Sequence, residues 1–268
     1  MKHIAIFCVV YNSYKELFAY LESIDNATFY AKDCSVDVYV ADNTDNDFKD
    51  FTVDKYNYIN VKVYPFHQNL GYFGAIKKMM EKEEYTKYDY IIISNVDMTL
   101  RQNTLQVLIN NSYPTDTGWI ASSIISKRTG LDMNPRVINR YSAKKLEIMK
   151  WLYKHPLAYQ FYLYTFHKLK QSRISTFEPG FIYAGHGSFI ILTKEYFLKC
   201  GIIDYPVFLY CEEIYIAEKC LRNNLKVIYD TSIRVDDIGR ISTGKAPQST
   251  YYKWNIEGLT YILDKYYK

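Results

Sequence analysis

A rhythm in the first hundred residues constrains this chain most. Four short apolar runs, at residues 4–11, 36–41, 61–65 and 90–94, alternate with helical spacing or polar loop. A run that is apolar at every position suits a strand covered on both faces. Between the first two runs, Leu17, Phe18, Leu21 and Ile24 recur at helical spacing over 14–24, behind the capping residues Asn12 and Ser13. A second helix is expected over 71–83. Strands alternating with helices imply parallel βαβ units, and hence an α/β fold. In open sheets of this kind, ligands bind beyond the carboxyl ends of the strands. The polar residues at those ends are Asn12, Asp42-Asn43 and Asn95/Asp97. Strand connectivity alone therefore gathers them along one edge.

Further on, the spacing predicts helices over 104–110, 194–199, 214–223 and 250–268. Strands are expected over 119–126 and 225–229, with a strand pair over 181–193 around Gly185 and Gly187. Residues 143–173 differ in composition. Lys144, Lys145, Lys150, Lys154, Lys168, Lys170 and Arg173 face one acid, Glu147, and seven aromatics are interleaved with them. Two helices broken near Pro156 fit this stretch.

At 268 residues the chain suits one large α/β unit. Its net charge of +4 is too small to argue for nucleic-acid binding. Five cysteines at irregular spacing, without C-x-x-C, argue against a disulfide framework or a zinc site and for a reducing compartment. No run approaches ~18 uninterrupted apolar residues, so no membrane-spanning helix is expected. The N-terminal apolar run lacks a small-residue cleavage site and reads as a buried strand. The 29 tyrosines suit sugar or membrane-interface contacts as well as plain packing.

Asp97 follows three isoleucines, and a carboxylate there can hold a divalent cation that in turn holds a diphosphate. It can equally be a helix cap. Asp42-Asn43 can accept an imide N–H or a ribose hydroxyl, or simply form a turn. The stretch His67-Gln68-Asn69-Leu70-Gly71-Tyr72-Phe73-Gly74 allows close backbone approach at a helix start, but it is not the dinucleotide fingerprint. A nicotinamide-dependent oxidoreductase is disfavoured accordingly. Glu212-Glu213 reads either as a solvated first helical turn or as a source of a general base. Asp236-Asp237 reads as a loop charge pair or as the completion of a metal site.

In order, VVYNSYKEL, ADN, NLGYFGA, SNVD, GHGSFIILTKEYF, FLYCEE and DDIGRIST resemble the motif series of family 2 glycosyltransferases with the GT-A fold. The rhamnosyltransferase-like branch, which builds surface polysaccharides, is the nearest look. The resemblance covers about residues 3–245. It implies a Rossmann-like, mostly parallel sheet flanked by helices. Residues 1–100 would bind nucleotide and 101–245 the acceptor, with a basic insert at 143–175 and a C-terminal helix over 246–268. By resemblance Val10, Asn12, Asp42, Asn43, Gly71 and Asn95 would line the donor site. Asp97 would be the last acid of the metal-binding D-x-D, with Asn95 in the place of the first. Asp237 would be a second ligand where the family commonly has His. Glu212-Glu213 stands where the family has Glu-Asp, with Glu213 as the base.

The activity implied is inverting transfer from a UDP- or dTDP-sugar, with Mn2+ or Mg2+, to a glycan or lipid-linked saccharide. The chain would be cytoplasmic, at the inner face of the plasma membrane. The basic insert leaves an anionic membrane surface, the acceptor and a homo-oligomer contact open as its partner. A non-catalytic relative that binds nucleotide-sugar or glycan is the alternative function.

Overall fold

The computed structural model describes residues 1–45, 53, 56–170, 177–239 and 247–268. The predicted alternation is present in the first part of the chain. Strand β1 (Lys2–Val10) is followed by α1 (Tyr14–Tyr30), β2 (Cys34–Asp42), β3 (Ile59–Pro65), α2 (Tyr72–Met80) and β4 (Tyr90–Asn95). Strand β1 is central: it pairs in parallel with β2, Ile4 opposite Val36, and with β4, Ile4 opposite Tyr90. Residues 4–8 lose all solvent contact. That accounts for a run apolar on both faces.

Among the described residues the sheet has nine strands, in the order β3-β2-β1-β4-β8-β6-β9-β5, with β7 also paired to β9. The chain's further elements are β5 (Met98–Leu100), α3 (Thr104–Asn110), β6 (Thr117–Ser126), α4 (Ala143–Lys154), α5 (Pro156–Lys170), β7 (Gly180–Ile182), β8 (Phe189–Thr193), α6 (Lys194–Cys200), α7 (Glu212–Arg222), β9 (Lys226–Asp237) and α8 (Gln248–Tyr266). Strands β1, β2, β3, β4, β6 and β9 share one direction, and β5, β7 and β8 oppose it.

The expected strand pair over 181–193 is corrected here. Strands β7 and β8 do not pair with each other. The chain leaves β7, passes Gly185 and Gly187, and inserts β8 between β4 and β6. Burial explains the choice, because Phe189, Ile190, Ile191 and Leu192 are wholly buried and need cover on both faces. The strand expected at 225–229 runs on to Asp237, crossing a register shift opposite Ser122/Ser123.

Two apolar layers cover the sheet. Leu17, Leu21 and Ile24 of α1 and Leu105 and Leu108 of α3 form one. Side chains from α2, α4, α6, α7 and α8 form the other. Helix α4 is capped by the Ser142 hydroxyl, which accepts from the Lys145 N–H at 3.2 Å. Helix α5 starts on Pro156, where a missing N–H costs nothing. All five cysteines are free thiols. Among the described residues, no helix is long and apolar enough to cross a membrane.

Candidate functional site

The carboxyl ends of β1, β2 and β4 lie side by side. Val10 is opposite Asp42, and Val9 is opposite Asn95. The chain leaves β1 through Asn12, whose φ of 51° is left-handed, a region that Asn tolerates better than most residues. The Asn12 N–H donates to the Thr44 hydroxyl at 3.1 Å, and the Asn43 N–H to the Val10 carbonyl at 2.9 Å. Asp42 is buried, and its two oxygens accept from the Thr44 N–H at 3.0 Å and the Tyr14 hydroxyl at 2.9 Å. Each carboxylate oxygen keeps further lone-pair capacity. This end of the sheet is thus a fixed polar rim.

Gly71 closes that rim. The Asn43 side-chain amide donates to its carbonyl at 2.9 Å, and its own N–H donates to Asn69 Oδ1 at 3.1 Å. Its φ is 74°, and an added Cβ would stand 2.2 Å from the Phe208 carbonyl oxygen. Only glycine fits here, because both the backbone angle and the space exclude a side chain. The next residue, Tyr72, donates its N–H to that same Phe208 carbonyl at 3.2 Å. The loop before α7 is thereby seated on the start of α2.

Asp97 and Asp237 come from neighbouring strand ends. Met98 pairs with Asp237, and the Ile238 N–H donates to the Asp97 carbonyl at 3.0 Å. Both carboxylates are mostly buried but reach the surface. Asp237 Oδ1 accepts from the Gly239 N–H at 2.6 Å. The preceding acid is diverted: Asp236 Oδ1 accepts from Arg101 Nη2 at 2.7 Å and Nε at 3.3 Å. Among the described residues, no three His, Cys, Asp or Glu gather closely enough to hold an ion by themselves. Two carboxylates do fit a hard divalent ion that completes its shell with phosphate oxygens and water.

The acid pair opening α7 splits into two environments. Tyr210 and Cys211 both have left-handed backbone, φ 74° and 65°. Glu212 folds back, and its Oε1 accepts from the Tyr210 N–H at 2.9 Å. Its carboxyl is pushed up to about 8, first by burial and then by the charge of Glu213. Glu213 is the more open of the two. Its Oε2 lies 3.6 Å from where a Cβ on Gly187 would sit, and its Oε1 lies 3.9 Å from Arg136 Nε. Helix α8 backs this turn, with Gly258 so close that an added Cβ would meet Cys211 Sγ and the Tyr210 carbonyl, each at 3.1 Å.

Gly187 links the acid pair to the strand ends. Its carbonyl accepts from the Tyr72 hydroxyl at 3.3 Å, and the carbonyl of the next residue, Ser188, accepts from the Asn95 N–H at 2.9 Å. The Tyr72 hydroxyl is held well above its ordinary range by burial, then by Glu212, with Asp97 a smaller contributor. Tyr72 therefore feels both acidic regions.

Nothing in the sequence singles out Arg136 or Asn134, and Tyr72 stands in the glycine loop with no role of its own. His186 lies within the Gly185-His186-Gly187-Ser188 motif, which by itself assigns it no role. Asn134 Oδ1 accepts from the His186 N–H at 2.8 Å, while its amide donates to the Ser122 carbonyl at 2.7 Å. His186 Nδ1 is 2.8 Å from the Ser188 hydroxyl. An Asn-Pro-Arg tripeptide in a loop carries no periodic signal that would have singled it out. The end of the DDIGRIST motif, residues 240–243, lies outside the described residues.

The fold is similar to that of GalNAc-T7 solved with UDP, GalNAc and Mn2+, at TM-score 0.59 and 15% identity over 91% of this chain. Residues 1–349 of S. aureus TarS match at TM-score 0.48 and 12% identity over 87% of this chain. The chain spans 45% and 61% of those two structures. No curated protein matches the sequence. The family model described as Glycosyl transferase family 2 matches residues 5–195, a stretch that contains Asn12, Asp42, Asn43, Asn95 and Asp97 and stops short of Glu212, Glu213 and Asp237. With the α/β architecture of the GT-A fold and that match over most of its length, the chain belongs to glycosyl transferase family 2.

Proposed function

We propose that the chain is an inverting glycosyltransferase. It would move a sugar from a UDP- or dTDP-linked donor to a hydroxyl of a glycan or lipid-linked saccharide. The observation that carries this reading is the convergence at one sheet edge. Asn95 is hydrogen-bonded to the segment whose Gly187 faces Glu213, and Asp97 is bonded to the end of the strand carrying Asp237. The motif order supports a role of the rhamnosyltransferase-like kind, in surface polysaccharide synthesis.

In this reading the rim formed by Val10, Asn12, Asp42 and Asn43 receives the nucleoside. Gly71 lies in the loop that would approach the donor, its missing side chain admitting the Phe208 carbonyl, and Asn95 contributes at the end of β4. Asp97 and Asp237 would hold the divalent ion, Mn2+ or Mg2+, whose charge when bound offsets that on the leaving diphosphate. Glu212 stays protonated at neutral pH, since its carboxyl titrates near 8. Glu213, the more open carboxylate, facing Gly187 and Arg136, is then the candidate general base. Glu213 takes the acceptor hydroxyl proton as the oxygen bonds to the anomeric carbon. The bond from that carbon to the diphosphate oxygen breaks, and its electron pair leaves with the nucleoside diphosphate. Attack opposite the leaving group inverts the anomeric centre.

The test is a melting-temperature series with UDP- and dTDP-sugars, each with and without manganese. A ligand that binds only the folded state raises the melting temperature with its concentration. A rise with at least one donor that needs manganese in the parent, and is lost in Asp97→Asn, is the expected result. No rise with any donor overturns the reading.

A further inference from the structure

Helix α5 packs Tyr159 against Tyr252 of α8, ring centroids 5.5 Å apart, and turns other side chains outward. Leu157 is 83% exposed, Phe161 70% and Tyr164 66%, a stripe at helical spacing. On α4, Ile148 and Trp151 are half exposed, one helical turn apart. Large apolar side chains left exposed at helical spacing on two successive helices mark a place where something docks. Charge selects the occupant. Lys144, Lys145 and Lys154 are exposed on α4, and Lys150 is ion-paired to Glu147 at 2.8 Å. Between Glu147 and Glu178 the sequence holds no acid and five cations. A second copy of the same surface would bring like charges together, whereas an anionic lipid surface would not. Tyr, Trp and Lys around an apolar stripe is the composition that settles at a bilayer interface.

The hairpin is also tied to the cleft. The chain runs from Arg136, 3.9 Å from Glu213, to Tyr141 and directly into α4. Burial first, and Glu213 and Tyr162 among lesser contributors, raise the Tyr141 hydroxyl, so that side chain senses both the acid and α5.

We propose that the α4–α5 hairpin docks the protein on a membrane surface carrying anionic lipid, with the Glu213 side of the cleft beside that surface. The apolar stripe enters the interface, and the lysines face the headgroups.

Co-sedimentation of the full chain with vesicles tests this. One set is phosphatidylcholine alone, and the other contains phosphatidylglycerol as well. Binding at least about tenfold tighter to the anionic set, weakened by salt, is expected. The double variant Leu157→Glu/Phe161→Glu should lose it while keeping the parent's circular dichroism and melting temperature. Should that variant misfold, Lys144→Glu/Lys145→Glu/Lys154→Glu should abolish the preference for anionic vesicles on its own. Equal or absent binding to the two sets, or binding unchanged in the folded variants, overturns the proposal. A parent dimer that dissociates in the double variant, without vesicle binding, overturns it in favour of a second copy. The assay uses no donor, metal or turnover, so it succeeds or fails apart from the catalytic reading.

Discussion

Strands β1 to β4 run parallel and end in polar groups already committed to hydrogen bonds, as Asp42 is to Thr44 and Tyr14 and the Asn95 N–H is to the Ser188 carbonyl. Strands β5 to β9 mix directions, and the turn behind them holds two successive left-handed residues and a buried carboxyl that titrates near 8. The first region is a prepared surface, with its polar groups fixed before any ligand arrives. The second stores strain and exchangeable protons. Rim and reactive acids thus rest on different physics, and each can be perturbed while the other is observed.

The largest contrast should come from Glu213→Gln. A base contributes typically about 10²–10⁴-fold, so turnover should fall by that factor while nucleotide binding at the rim persists. Steady-state kinetics beside a nucleotide titration would show the split; parallel losses in both would erase the distinction.

Next in size is the pH dependence set by Glu212. Its carboxyl is raised in the folded state, so the folded protein binds the extra proton. Stability is full below the unfolded value near 4.5 and declines as pH rises toward 8. Glu212→Gln removes this slope. Relative to the parent it should gain about 4–5 kcal/mol at pH 9 and little at pH 4, read from unfolding midpoints at the two values. Third is Gly71→Ala, which strikes the seam between the regions. With a backbone oxygen 2.2 Å from the new Cβ, a stability loss of about 2–4 kcal/mol is expected in denaturant unfolding. Smallest is Asp236→Ala, which breaks a partly exposed pair with Arg101. A cost of at most about 1 kcal/mol is expected, with turnover unaffected. A large fall in turnover would show that the wrong acid of the 236–237 pair has been assigned to the metal.

The parallel half was legible because each strand is a continuous apolar run and each helix repeats at its own period. The helices at 104–110 and on either side of Pro156 were legible for the same reason. Strand β5 was not, since three residues are too few to show a period. The insertion of β8 between β4 and β6 was hidden as well. Its sequence states that both faces are buried but does not name the neighbours. Among the candidate residues, those at strand ends could be read from topology alone. Arg136 and Tyr72 could not, because their place depends on contacts between distant loops. The separate environments of Glu212 and Glu213 follow from the reversed backbone at Tyr210 and Cys211, and nothing in the letters Cys-Glu-Glu announces that reversal.

The wedge of Gly258 beneath Cys211 gives the last helix a part in chemistry that it never touches. Were α8 pared away, the two turn residues behind the acids would lose their brace and could relax toward ordinary right-handed backbone. The carboxylates would then swing out of alignment although no group inside the cleft had changed.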